Sequence, residues 1–171
     1  IFVQEYSQGK PYKPVEVVGE ADDTGTTVTF HPDPEIFQVT TVYKYDTLAA
    51  RLRELAYLNK GIRLTLTDKR NLVNDIDENG NELETTHYRS DVFYSKEGLK
   101  EFVDYLDGGA EKLIEAPIYL ETDKIIPIEI ALQYNTSYTE KIYSYVNNIN
   151  TIEGGTHLQG FKMGLTRTLK N

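Results

Sequence analysis

Period-two alternation of apolar and polar residues predicts antiparallel strands at the start of the chain. The pattern runs through 1–6, 14–18 and 26–30, and a turn signal at 22–25 precedes the third of these segments. The third segment is also rich in β-branched residues, which pack well on a pleated surface. We therefore expect three antiparallel strands within the first 30 residues.

Helical spacing of apolar residues predicts three helices. Asp46 is positioned to cap the first, in segment 47–61, where Gly61 is the expected residue just past the helix end. Ser95 begins the second, Gly108-Gly109 ends it, and a third comes after Gly155. The apolar positions of the three helices are, in chain order, Leu48, Leu52, Leu55 and Leu58; Leu99, Phe102, Val103 and Leu106; and Leu158, Phe161, Leu165 and Leu169.

Further alternation predicts strands at 62–67, 116–122, 126–134 and 139–149. The predicted order is βββ–α–β–loop–α–β–β–β–α. Strands outnumber helices and often come directly after one another, which favours an α+β fold with helices on one face of mostly antiparallel sheets. A domain boundary is expected near 90–95, so that each half holds a sheet and at least one helix.

Residues 71–91 form a polar excursion that contains Asn79-Gly80, a dipeptide typical of tight hairpin turns. This excursion is either a hairpin or a mobile loop. The spacing of Asp75, Asp77 and Asn79 is similar to that of a calcium loop, but Thr86 stands where that pattern requires glutamate. We therefore expect a solvated acidic loop and no metal site.

Residues 147–161 concentrate the unusual chemistry of the chain: paired amides, paired glycines, Thr156 and His157. A phosphate-binding loop needs lysine after its last glycine, and Phe161 stands at that place. A catalytic or metal-binding His157 would need positioned partner groups, and the other two histidines lie in separate parts of the chain. We expect instead a turn into a helix that Thr156 caps. The amides and glycines also indicate close approach of the backbone to another segment.

The composition, 39% hydrophobic and 26% charged, is that of a globular chain. A net charge of −9 disfavours autonomous binding of nucleic-acid phosphates. Cysteine is absent, which excludes disulfides and cysteine nucleophiles and fits a cytoplasmic location. No apolar run approaches the roughly 20 residues that span a bilayer, so we expect no membrane partner. Both ends fall at predicted secondary-structure elements, and we expect a piece of a longer protein.

Five segments carry a resemblance to a known family: TGTTVTFHPDPEIF (24–37), TLAARLRELAYLNKGIRLTLTDKR (47–70), EGLKEFVDYL (97–106), IEIALQYN (128–135) and YSYVNNINTIEGGTHLQGFKMGLTRTLKN (143–171). They are similar to segments of the GHKL ATPase subunits of bacterial type II topoisomerases. The DNA gyrase B family is the first match, and the topoisomerase IV ATPase subunit resembles the chain nearly as well. The resemblance covers almost the whole chain except 71–91, which looks like an insertion.

The resemblance implies two domain portions. Residues 1–94 correspond to the C-terminal half of a GHKL ATPase sandwich, and 95–171 to the first half of a ribosomal-protein-S5-like transducer domain. It further implies an enzyme that uses ATP and Mg²⁺, dimerises through its ATPase region, and works with the gyrase A subunit on DNA. Negative supercoiling is the activity implied by gyrase, and decatenation the one implied by topoisomerase IV.

Compared residue by residue, the resemblance assigns a functional role to only two positions of this chain, both on the adenine side of the nucleotide site. Thr26 matches the family's adenine-binding threonine, and Val28 matches an apolar residue that lines the adenine pocket. The family's catalytic glutamate, its magnesium-binding asparagine and its γ-phosphate lysine have no counterpart in these 171 residues. We therefore expect no catalytic or metal-binding residue here, no ATP hydrolysis by the segment alone, and no tight binding of aminocoumarin inhibitors. The alternative is a non-catalytic S5-like interaction module.

Overall fold

The computed structural model describes residues 1–137 and 139–170. Tyr138 and Asn171, the last residue of the segment 143–171 named above, lie outside the described residues. The chain forms two compact units, 1–44 and 45–171. The domain boundary predicted at 94/95 lies inside the second unit and stays a prediction.

The first unit contains two short antiparallel ladders. Strand β1 (Phe2–Val3) pairs with β4 (Glu16–Val17), and β2 (Tyr6–Ser7) pairs with β3 (Lys10–Pro11). The strands predicted at 1–6 and 14–18 are thus present in shortened form.

The predicted strand 26–30 is wrong for this structure, because the segment belongs to no helix or strand. Two of its apolar side chains, Val28 and Phe30, are 77% and 67% exposed. A strand is held by hydrogen bonds to a neighbour and by burial of one face. Within the described residues this segment has neither, so its β-propensity alone does not make it a strand.

Helix α1 (Tyr45–Leu58) starts the second unit and carries most of its core. Tyr45, Ala49 and Ala56 are buried and form one cluster with Phe93. The predicted stripe Leu48, Leu52, Leu55 and Leu58 is wrong as the main buried face, since none of the four leucines is fully buried. The small side chains of the alanines let the helix lie close to the strands beneath it, and the leucines flank that contact.

Asp46 does not cap α1, because the helix begins one residue before it. Its carboxylate instead accepts a 2.6 Å hydrogen bond from Arg89. The Arg89 guanidinium also lies 3.8 Å from the ring centre of Tyr45. The acidic residue thus stabilises the first turn through an ion pair with the neighbouring strand.

The excursion is a long hairpin, which decides between the two predicted alternatives. Strand β5 (Arg63–Ile76) pairs antiparallel with β6 (Glu82–Tyr94), and the turn lies around Asn79-Gly80. The register shifts between Asp68 and Leu72. The base of the hairpin, where the chain enters and leaves it, packs under α1, whereas its far part is mostly exposed.

Helix α2 (Leu99–Asp107) begins four residues after Ser95, which was predicted to start it. Ser95 is fully buried, and its hydroxyl accepts from the Gly98 amide at 2.8 Å while donating to Glu101 at 2.8 Å. A side chain on Gly98 would lie 3.3 Å from the Tyr57 carbonyl oxygen, so glycine permits close approach to α1. The helix ends at Gly108, as predicted, and this glycine has the left-handed conformation.

Two more hairpins come after α2. Strand β7 (Ile118–Thr122) pairs with β8 (Ile128–Leu132), which confirms the strands predicted there. The single strand predicted over 139–149 is wrong: β9 (Tyr145–Val146) and β10 (Ile149–Asn150) form a small hairpin. Asn147 and Asn148 have φ of 49° and 65°, the combination of a type I′ turn.

Helix α3 (Thr156–Leu169) is the third predicted helix. Its N-cap is Gly155, and no side chain makes a capping bond, so the prediction that Thr156 caps it is wrong. Leu158, Phe161 and Leu165 are partly buried, whereas Leu169 is 69% exposed. Every strand pair among the described residues is antiparallel, and the predicted α+β class is confirmed.

Candidate functional site

The two predicted adenine-side residues lie together in the first unit. Thr26 and Val28 are both exposed and stand two residues apart in a stretch without assigned secondary structure. If that stretch is extended in a larger assembly, side chains at even positions share one face, so a hydroxyl and an aliphatic group would lie side by side. Such a pair can read the polar edge of a base and pack on its ring.

The acidic hairpin tip uses its carboxylates within the turn. Asp77 accepts bonds from the backbone amides of Asn79 and Asn81 at 2.9 Å and 2.8 Å, and from the Asn81 side chain at 3.0 Å. These donors hold the pKa of Asp77 below its ordinary value, the Asn81 side chain having the largest effect. Asp75 Oδ1 lies 2.6 Å from His87 Nδ1, and the pKa of Asp75 is lowered first by a hydrogen bond from Thr85 and then by the bond from His87.

Among residues 1–137 and 139–170, no group of three or more acidic or histidine side chains is placed to hold a metal ion. The carboxylates that the sequence places at calcium-like spacing are engaged with amide and imidazole donors. Their arrangement therefore explains the turn and gives no support for a cation site at the tip.

The segment that contains Gly155 and His157 has a structural role. The His157 ring nitrogen Nε2 lies 3.1 Å from the Thr151 hydroxyl. A side chain at Gly155 would come within 2.8 Å of the same ring, so glycine leaves the space that the imidazole occupies. Thr151 is also bonded to Ser144, which ties the end of the small hairpin to the start of α3. The prediction of a turn into a helix is confirmed.

The second unit holds a polar contact between residues that lie far apart in the sequence. The Tyr145 hydroxyl donates to Glu54 Oε1 at 2.5 Å, and Arg51 donates to the other oxygen of the same carboxylate. Arg51 Nη2 also donates to the Asn148 carbonyl oxygen at 2.7 Å. The Asn148 side chain donates to Asn59 Oδ1 at 3.0 Å. We call these five residues the α1–turn contact.

The α1–turn contact is partly shielded from water. All five of its residues are intermediate in exposure, and the Glu54 side chain is 21% exposed. Burial, followed by the bond to Glu54, raises the pKa of the Tyr145 hydroxyl. That hydroxyl is therefore a permanent donor at neutral pH.

Aromatic rings surround this contact. Phe102 is buried and stacks on Tyr57 with ring centres 5.1 Å apart, and its ring centre lies 6.2 Å from that of Tyr145 and 6.4 Å from that of Tyr143.

A groove of about 150 Å³ lies beside Arg53, whose guanidinium is 5.5 Å from the centre of the Phe93 ring. That volume is below the roughly 300–1,000 Å³ of small-molecule sites, so the groove is better explained as packing than as a ligand pocket.

The sequence contained two signals for the α1–turn contact. Arg51, Glu54 and Asn59 fall on one side of the helix and its end, and the paired amides at 147 and 148 indicated close backbone approach. That close approach is confirmed. The identity of the approached segment was not visible, because the bonded residues are 89 to 97 positions apart in the chain.

No helix among the described residues is long and apolar enough to cross a membrane.

Comparison with known proteins gives a consistent match. A model of the DNA gyrase B family matches residues 98–171. The DNA gyrase B subunit of Eisenibacter elegans is 56% identical over 172 residues, and that of Cytophaga hutchinsonii is 55% identical over 173 residues. Both alignments cover 100% of this chain and 34% of the relative. The chain therefore spans about a third of the length of the curated relatives it matches.

A solved structure gives the same match in three dimensions. The crystal structure of the 43K ATPase domain of Thermus thermophilus gyrase B, in complex with an aminocoumarin, superposes with a TM-score of 0.78 at 34% identity. The superposition covers 99% of this chain and 42% of that chain. The resemblance inferred from the five sequence segments is confirmed, and the alignments to both relatives also run through 71–91, which was predicted to be an insertion.

The geometry of the hairpin tip predicts a dependence on acid pH. Because the pKa of Asp77 is depressed below 3.8 in the folded tip, its stabilisation is complete above that pH and is lost as pH falls through the lower folded-state value. We expect amide hydrogen exchange at Asn79 and Asn81, corrected for intrinsic rates, to lose protection in that range. Asp77→Ala should lose the same protection already at neutral pH.

Glu78→Ala is the matched control, since it removes a neighbouring exposed carboxylate. Equal loss of protection in both variants would contradict the assigned role of Asp77.

Proposed function

We propose that the chain belongs to the DNA gyrase B family and forms part of the ATPase and transducer region of an ATP-dependent type II topoisomerase. The match over the whole chain to two relatives at 55% and 56% identity is the observation that carries this proposal. As in the resemblance above, 1–94 is assigned to the ATPase portion and 95–171 to the transducer portion.

We assign Thr26 and Val28 to the adenine side of the nucleotide site. The hydroxyl of Thr26 would bond the polar edge of the base, and Val28 would pack on the ring. Val28 is 77% exposed, so this surface is open to a ligand and to other protein segments of the complete subunit. The same assignment accounts for the missing strand neighbour of 26–30, because the complete ATPase sandwich would supply one.

The chemistry of ATP hydrolysis is assigned to residues outside these 171. Phosphoryl transfer requires a positioned base, a metal ion and a group on the γ-phosphate to act together. Mg²⁺ would accompany ATP, whereas the residues of this chain would contact only the adenine base of the nucleotide. A net charge of −9 supports the proposal that the principal DNA contacts are made elsewhere in the assembly.

The partners and the location are inferred from the family. We propose that the complete subunit dimerises through its ATPase region and acts with the gyrase A subunit on DNA in the cytoplasm. We favour negative supercoiling over decatenation because the similar relatives named above are gyrase subunits rather than topoisomerase IV subunits.

The activity is tested with the full-length protein encoded by the gene. Combined with its A subunit and ATP, it should convert relaxed circular DNA to negatively supercoiled DNA. ATP-dependent decatenation without supercoiling would assign the chain to topoisomerase IV instead. Loss of any ATP-dependent change in DNA topology would reject the enzyme and favour the non-catalytic module.

The assignment of Thr26 is tested by two substitutions in the full-length protein. Thr26→Val keeps the shape and removes the hydroxyl, and we expect ATP affinity to fall by about three- to tenfold, the value of one ordinary hydrogen bond. Thr26→Ser keeps the hydroxyl and should stay within about twofold of the parent. Nucleotide binding measured by calorimetry or competition provides the comparison.

Thr27→Val is the matched control, because the neighbouring side chain points to the opposite face of an extended segment. Equal effects of Thr26→Val and Thr26→Ser, or a larger effect of Thr27→Val, would remove Thr26 from the adenine site.

A further inference from the structure

We propose that the α1–turn contact positions the small hairpin 145–150 and the start of α3 on helix α1, and thereby couples ATP turnover to the DNA reaction. The coupling part of this inference rests on the proposed function, which places α1 in the ATPase portion and the hairpin in the transducer portion. Arg51, Glu54, Asn59, Tyr145 and Asn148 are thus assigned as positioning residues.

The turn itself presents its backbone to α1. Positive φ at Asn147 and Asn148 forms the tight type I′ reversal, and the Asn148 carbonyl oxygen is the one that Arg51 contacts at 2.7 Å. Asparagine adopts this conformation more often than most residues, because its short amide can bond locally. Here the Asn148 amide bonds instead to Asn59, so the residue that makes the turn also fixes where it lies.

Glu54 joins the two sides of the contact. One carboxylate oxygen accepts from Tyr145 at 2.5 Å, and the other accepts from Arg51 of its own helix. Arg51 in turn uses a second nitrogen for the turn carbonyl. Because the guanidinium is a rigid planar fork, these two bonds fix its orientation and with it the distance between the helix and the turn.

The small hairpin is connected directly to the start of α3. The hairpin is followed by Thr151, whose amide and hydroxyl bond to the Ser144 carbonyl oxygen at 2.8 Å and 2.9 Å. The Thr151 hydroxyl also lies 3.1 Å from the His157 ring in the first turn of α3. A continuous set of bonds therefore runs from α1 through the turn and Thr151 to the beginning of α3.

The surrounding rings limit how the contact can move. Tyr145 lies against Phe102 of α2, which also stacks on Tyr57 of α1. Loss of the Tyr145 hydroxyl leaves this ring packing in place, whereas loss of the ring would remove it. Tyr145→Phe therefore isolates the polar bond from the apolar contact.

The test uses full-length protein with its A subunit. We expect Tyr145→Phe to lower the number of supercoils introduced per ATP by at least about threefold, while ATP turnover stays within about twofold of the parent. Tyr143→Phe is the matched control, since that ring also contacts Phe102 but is 48% exposed. It should leave both quantities unchanged.

A double-substitution cycle identifies the bond responsible. If Tyr145 acts through Glu54, then Tyr145→Phe combined with Glu54→Gln should lower the supercoils per ATP less than the product of the two single effects. Independent effects that multiply would overturn the assigned pair. A parallel fall of ATP turnover and supercoiling, or no change in either, would overturn the coupling role.

Hydrogen exchange separates this inference from the proposed function. Tyr145→Phe should raise exchange of the Thr151 amide, which donates to the Ser144 carbonyl oxygen, by about tenfold, and Tyr143→Phe should not. This result is expected even if the full-length protein has no topoisomerase activity, in which case only the proposed function fails. Unchanged exchange in Tyr145→Phe would overturn the positioning role itself.

Discussion

Two alanines allow helix α1 to lie close to the base of the β5–β6 hairpin, and the rest of the second unit depends on this contact. Ala49 and Ala56 are 6% and 2% exposed, and Phe93 from β6 fills the space beside them. Interiors are packed so closely that even small changes in volume are felt. The position of α1 is therefore set by this apolar cluster, and its other faces can carry different partners.

Those other faces organise the later segments of the chain. The end of α1 meets the start of α2, where buried Ser95 and the bare backbone of Gly98 allow close approach. A polar side of the same helix holds the Asn147-Asn148 turn. One helix thus contacts α2 and the small hairpin 145–150, two of the segments that come after the proposed domain boundary. A change in the orientation of α1 would therefore be felt on both sides of that boundary.

The elements that sequence predicted well are those whose signals are local. Gly108 in the left-handed conformation and Asn79-Gly80 at a hairpin turn depend on the conformational freedom of single residues. The buried stripe of α1 was missed because leucines dominate the pattern, whereas the close strand contact selects alanines. The segment 26–30 has strand propensity, but a strand also needs a neighbour, and propensity does not supply one.

The two candidate sites also depend on information that local sequence patterns do not contain. Thr26 and Val28 emerged only from family resemblance, since a threonine and a valine two apart are ordinary in any strand. The α1–turn contact joins residues 89 to 97 positions apart, and no local pattern specifies such pairs. The unusual paired asparagines marked one end of it, and the fold was needed to identify the other.

Helix α1 holds the other elements of the second unit in place, and hydrogen exchange on the full-length protein with Ala56→Val measures this dependence. Adding two methyl groups at a 2% exposed position should overpack the contact with Phe93. We expect protection to fall together in α1, in the base of the β5–β6 hairpin and in the distant hairpin 145–150. A loss confined to α1 and the β5–β6 base, with hairpin 145–150 unchanged, would contradict it.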